Sequence, residues 1–239
     1  MPVGVMVNAV SVFLGGIIGA LLGNAIPERL RKTLPLILGV ASMSMGIVSM
    51  SKMKILPAII LAVLLGTAIG ELIKIEESIE WGAARMRTLI EKMLPGNSDM
   101  ENQKEFMEKF IGVLVLFCAS GTGVFGALQS GMTGDHTILF TKSILDLFSA
   151  AIFAASLGYI VSVIFIPQFV VLIALFLGAT VIMPMTTPEM LADFNATGGI
   201  LMLATGLRIS GIKSFPIANM LPAMVIIMPI SHFWAKYLM

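Results

Sequence analysis

Eight stretches of this chain, at roughly 3–26, 34–51, 55–73, 107–130, 138–165, 168–186, 193–210 and 214–235, are apolar over nearly the length of a membrane span. A helix needs about 20 apolar residues to cross the hydrocarbon. No run alternates as a strand would, so a β-barrel is excluded. The expectation is an all-α, polytopic transmembrane helix bundle forming one integral membrane domain over 1–239. Composition agrees: 57% of residues are hydrophobic and 12% charged, against about 25% charged in a soluble domain. A net charge of +1, with basic residues scattered between apolar runs, offers no field for nucleic acid. The expected partners are the lipid bilayer and a small solute or ion, and a homo-oligomer is compatible with the pattern.

The opening run has no Lys or Arg ahead of it, so it reads as a first span rather than a cleaved signal peptide. Pro167-Gln168 is a hairpin signal between the fifth and sixth spans, because proline cannot continue the ladder of the preceding helix. The one long polar segment, 74–106, reads as a cytoplasmic amphipathic linker. In it Ile75, Ile79, Met86, Leu89, Ile90 and Met93 share a face, and Ser98-Asp99-Met100-Glu101 forms a capping box that opens the next helix. With the N-terminus outside, Arg29, Arg31, Lys32, the linker's basic residues, Arg208 and Lys213 fall inside, against Lys52, Lys54 and Lys236 outside. Short cytoplasmic loops retain basic residues, so both termini are expected outside a prokaryotic cytoplasmic (inner) membrane.

A repeat links the two ends. Phe13-Leu14-Gly15 recurs as Phe176-Leu177-Gly178, Pro27-Glu28-Arg29-Leu30 as Pro188-Glu189-Met190-Leu191, and Leu56-Pro57-Ala58 as Leu221-Pro222-Ala223, at offsets of 163, 161 and 165 residues. These matches relate spans one to three with spans six to eight, around central spans four and five. A shift of five helices inverts the repeat in the membrane, an architecture of many secondary transporters.

Polar side chains gather in the centre. Span four carries Ser120, Gly121, Thr122, Gly123 and then Gln129, a composition that permits a helix break and hydroxyls facing a cavity; the same small residues also suit close helix packing. Span five places Lys142 and Asp146 at i and i+4, on one face. Counted from Ile138, Asp146 lies roughly 12 Å deep, near the bilayer centre. Ionisable groups at such depth face a bundle interior or a water path. Asp146, Lys142, Ser120, Thr122, Gln129, Asn8 and Asn219 are therefore the expected substrate or ion pathway. Asp135-His136 reads as a helix cap and Glu71 as a solvated carboxylate.

The methionines, including Met183, Met185, Met220, Met224 and Met228, would suit copper(I), but no Cys or His cluster accompanies them and they read as core filler. No metal or cofactor is expected. Walker, HExxH and GxSxG patterns do not occur, so an enzyme is not expected.

The segments GVFGALQSGMTGD and LFTKSILDLFSA, the opening VNAVSVFLGGIIGALLG with PERLR, and GGILMLATGLRISGIKSFPIANMLPA resemble the YqgA/YdfK-like family of bacterial inner-membrane proteins. The resemblance implies a polytopic prokaryotic membrane protein of a family of unknown function, often described as transporter-like, and supplies no substrate or site. A secondary transporter or channel-like carrier is the leading functional reading. The alternative is a non-transporting membrane scaffold or regulatory protein, in which the polar residues only pack helices.

Overall fold

The computed structural model describes residues 1–51, 53–79, 81–82, 100–118, 120–182, 184 and 186–238, and among them there is no strand. Most of the linker, with Arg85, Arg87, Lys92 and the start of the capping box, lies outside the described residues, as do Lys52, Met183 and Met185. Eleven α-helices have described bounds: α1 Val3–Leu22, α2 Glu28–Met50, α3 Leu56–Leu72, α4 Met100–Cys118, α5 Gly121–Thr133, α6 Thr137–Leu157, α7 Ile160–Val163, α8 Phe165–Ile182, α9 Pro188–Ile209, α10 Ile217–Met220 and α11 Pro222–Tyr237; residues 75–79 are also helical. Seven segments are long and apolar enough to cross a membrane: Val3–Leu22, Glu28–Met50, Lys109–Thr133, Thr137–Leu157, Ile160–Val181, Pro188–Ile209 and Ile217–Tyr237. The third expected span is a shorter apolar helix of 17 residues, Leu56–Leu72.

The helix starts follow local chemistry. Thr187 accepts the Met190 N–H and Pro188 occupies the first turn of α9, where its missing N–H would have had no helical partner. Pro57 and Pro222 stand at the same place in α3 and α11. The expected hairpin at Pro167-Gln168 is corrected: the chain turns at Gly158-Tyr159, and Pro167 lies in the first turn of α8. Gly158 takes φ 75°, a conformation that glycine adopts without a Cβ penalty. Proline at the start of a helix forfeits no bond, so it marked a helix beginning rather than a turn.

Lipid gives helices no hydrophobic reason to associate, so they pack through small residues that admit a neighbouring backbone. A Cβ on Gly19 of α1 would lie 2.1 Å from the Ala151 carbonyl oxygen of α6, and one on Gly70 of α3 would lie 2.0 Å from that of Asn219. Gly46 and Gly199 face each other across α2 and α9 in the same way, as do Gly39 and Gly206. These contacts fix directions. Gly4 meets Leu139 and Gly15 meets Ala150, so α1 and α6 run parallel. The pairs Gly39–Gly206 and Gly46–Gly199 make α2 and α9 antiparallel, and Gly66–Ala223 with Gly70–Asn219 do the same for α3 and α11. One face of the bundle therefore gathers the N-terminus, Met53–Ile55, His136 and Thr187. The opposite face gathers Ile73–Ile79, Gly158 and Ser210–Pro216.

The main core lies between α3, α5, α9 and α11, where Met220, Met224 and Met228 are buried beside Phe125, Phe194 and Leu201. Ile75 and Ile79 pack against a second cluster formed mostly by α4, α6 and α7. The fourth expected span is interrupted: α4 ends at Cys118 and α5 begins at Gly121.

Candidate functional site

Three helices converge on Asp146 of α6. One turn earlier, Lys142 donates to Oδ1 at 2.8 Å and lies 2.7 Å from Oδ2. From α1, Asn8 Nδ2 donates to Oδ2 at 2.9 Å. From α8, Gln168 Nε2 donates to the same oxygen at 2.8 Å and to Asn8 Oδ1 at 2.9 Å. Lys142 is 2% exposed, Asp146 7%, and Asn8 and Gln168 are fully enclosed. An isolated charge could not persist here; two opposite charges with amide donors can, because each supplies what water would have given. The Lys142 ammonium also stands 5.9 Å from the centre of the Phe117 ring, a favourable cation–π position. Gln168 Oε1 is buried without a partner. Turning that amide would set its oxygen against the carboxylate, so Asp146 fixes the orientation.

The broken span abuts this network. Ser120 caps α5 by accepting the Gly123 N–H at 3.4 Å. The Lys142 side chain crosses that helix start so closely that a Cβ on Gly123 would lie 2.8 Å from Cε. The first turn of a helix presents unpaired N–H groups and partial positive charge. Beside an ammonium this is unfavourable, and the Asp146 carboxylate offsets both. Thr122 and Ser42 of α2 share a hydrogen bond of 3.3 Å, and Ser42 donates to the Met202 carbonyl of α9 at 3.0 Å. A cavity of about 20 Å³ borders Ser42, Ser120, Thr122, Lys142, Asp146 and Ser149. It has room for about one water.

Five of the expected residues thus come together: Asp146 and Lys142 pair, Asn8 joins them, and Ser120 and Thr122 line the adjoining cavity. Two do not. Gln129 donates to Asp135 at 3.4 Å near the N-terminal face, and Asn219 accepts the Glu76 N–H at 2.8 Å near the opposite one. Gln168 and Ser42 were missed, the first because it follows Pro167 and the second because it is a lone hydroxyl just ahead of the Met43-Ser44-Met45 run. Asp135 accepts the Thr137 N–H at 2.9 Å, a capping bond to the first residue of α6, and Glu71 is exposed. Among the described residues, no three His, Cys, Asp or Glu side chains gather as a metal site would require.

A family model described as "Protein of unknown function (DUF554)" matches residues 3–232, a range that holds every residue of this network. The chain belongs to that family. It is 47% identical over 237 residues to the "Uncharacterized protein YqgA" of Escherichia coli (strain K12), covering 99% of each chain. It is 27% identical over 229 residues to the "Uncharacterized membrane protein YdfK" of Bacillus subtilis (strain 168), covering 93% of each. No solved structure matches. The family resemblance read from the sequence is thereby shown. Several apolar helices of crossing length, with a relative named as a membrane protein, make this a multi-pass membrane protein.

Proposed function

We propose that this protein is a secondary transporter or channel-like carrier of a small solute or ion, with the Lys142–Asp146 pair at its transport site. The observation that carries this reading is a buried charge pair held by side chains of three helices, beside a broken span and a polar cavity. Every donor to Asp146 is a side chain, so the bonds can exchange while the helices stay folded. Discontinuous helices that meet near the midplane are the recurrent way transporters build ligand sites.

The reading includes an eight-span inverted repeat, which the matched motifs support. The third pair of matched motifs opens α3 and α11, and the second stands at the starts of α2 and α9. The pairs α2/α9 and α3/α11 run antiparallel, as partners in an inverted repeat must. Parallel α1 and α6 are what an even number of returns between them gives, and this supports reading Leu56–Leu72 as a crossing. On the distribution of basic residues, both termini lie outside the cytoplasmic membrane.

A second reading, a non-transporting scaffold, draws on the fact that Asp146 accepts three donors and lacks none. The test is uptake by proteoliposomes of a panel of radiolabelled inorganic ions, carboxylates and amino acids. The carrier reading expects one of them to accumulate above protein-free liposomes and the accumulation to vanish in Asp146→Asn. Uptake of none, with protein that is monodisperse in detergent, favours the scaffold.

A further inference from the structure

The two sides of the Asp146 network differ. Toward the N-terminal face, Val5, Leu139, Ala127, Leu172 and Phe176 form a closed apolar cluster, and Leu139 and Ile138 fill the space beside Gly126. Toward the opposite face the apolar cluster of α4, α6 and α7 lies to one side, and a line of polar groups runs beside Val115, Leu116, Ile217 and Ala218. A second cavity of about 20 Å³ is bounded by Glu76, Ser120, Thr205 and Arg208, and it shares the walls Leu116 and Ser120 with the cavity at Asp146. Leu116 and Ser120, beside the break between α4 and α5, are all that the two linings share, and they stand between the two spaces.

An ion pair closes this polar line. Arg208, in the last turn of α9, donates to Glu76 Oε1 at 2.7 Å and to the Phe215 carbonyl at 3.2 Å. Glu76 Oε2 accepts the Ala218 N–H at 3.3 Å, and the Glu76 N–H reaches Asn219 at 2.8 Å. The side chains are 31% and 15% exposed. A pair wetted to this degree is held far less firmly than one in a dry core, so it can part and re-form without unfolding its surroundings.

We propose that the Asp146 site is reached from this face and that the Arg208–Glu76 pair is its gate. The purpose of a gate rests on the carrier reading; the access route does not. When the pair parts, Thr205 and then Ser120 become wetted, and the route ends at Lys142 and Asp146. The chain between α10 and α11 supplies a hinge, because Pro222 has no N–H to join the two helices into one ladder. The apolar cluster on the far side stays shut in this conformation, so access is one-sided. With the basic loops inside, the open side is cytoplasmic.

Cysteine labelling tests this without any transported solute. Thr205→Cys and, separately, Val5→Cys are placed in a Cys118→Ser background, which removes the only native cysteine. Each is reconstituted and exposed to a membrane-impermeant methanethiosulfonate from either side. Closed states of this kind open in a minor population, so Arg208→Gln or Glu76→Gln should speed Thr205→Cys labelling by about tenfold, from one side only. Val5→Cys should stay unlabelled, and the charge swap Glu76→Arg with Arg208→Glu should restore slow labelling. Unchanged Thr205→Cys rates overturn the gate, as does equal acceleration at Val5→Cys, which means general loosening. If the single variants do not fold, a swapped pair that labels as fast as an unprotected cysteine overturns it too. Gated labelling without uptake of any solute sinks the carrier reading alone, and uptake with ungated labelling sinks the gate alone.

Discussion

Two carboxylates are buried among the described residues, in very different company. Asp193, at the start of α9, is fully enclosed. Its Oδ1 accepts the backbone N–H groups of Lys54 and Ile55 at 2.9 Å each, and its Oδ2 accepts the Ser231 hydroxyl at 2.7 Å. Thr197 donates to its carbonyl, and no ion pair reaches it among the described residues. Asp146 is held instead by an ammonium and two side-chain amides. The first arrangement ties the start of α3 to α9 and α11 by satisfying N–H groups that a helix start leaves open, and backbone donors cannot turn away unless the chain moves. The second can be released by rotating side chains. Asp193 is a joint; Asp146 is a site whose partners can exchange.

Substitutions can break or sharpen that contrast. The largest effect is expected at the charge pair itself: Lys142→Met leaves a buried carboxylate and should destabilise by about 3–5 kcal/mol, recovered when Asp146→Asn is added. Thermal unfolding in detergent reads both. Asp193→Ala should cost about 3 kcal/mol, since it strands two backbone donors and a hydroxyl, and no change at Ser231 should recover it, because the N–H groups stay unpaired. A rescue by Ser231→Ala would make Asp193 as exchangeable as Asp146 and erase the distinction. Ser231→Ala alone removes one acceptor's partner and is expected to lose about 1 kcal/mol. Last comes Gln168→Met. It deletes the bonds to Asp146 Oδ2 and Asn8 Oδ1 but also the unpartnered Oε1, which offsets part of the loss, so stability should fall by about 1 kcal/mol while transport falls.

What the sequence made legible divides along the same line. Lys142 and Asp146 were visible because two charges at helical spacing inside an apolar run have few explanations, and Asn8 because it interrupts a span. The break at Ser120 followed from its glycines. Gln168 was hidden by Pro167, whose reading as a turn placed it outside a helix; the turn belongs to Gly158, where a positive φ decides. Glu76 and Arg208 sit at span ends, where a solvated charge is the default, and only the fold brings them together. Gln129 and Asn219 lie apart from the pair for the complementary reason: polarity near a span end says nothing about depth, and their partners are Asp135 and the Glu76 N–H.

The central claim is that the Lys142–Asp146 pair works in transport as well as in packing. Removing both charges at once, in Asp146→Asn with Lys142→Met, strands neither and keeps the fold. Uptake by proteoliposomes of this double variant, against wild type and with any solute that wild type accumulates, separates the two roles. The account predicts a protein that unfolds near the wild-type temperature and transports nothing. A double variant that is stable and takes up the solute at the wild-type rate would contradict it.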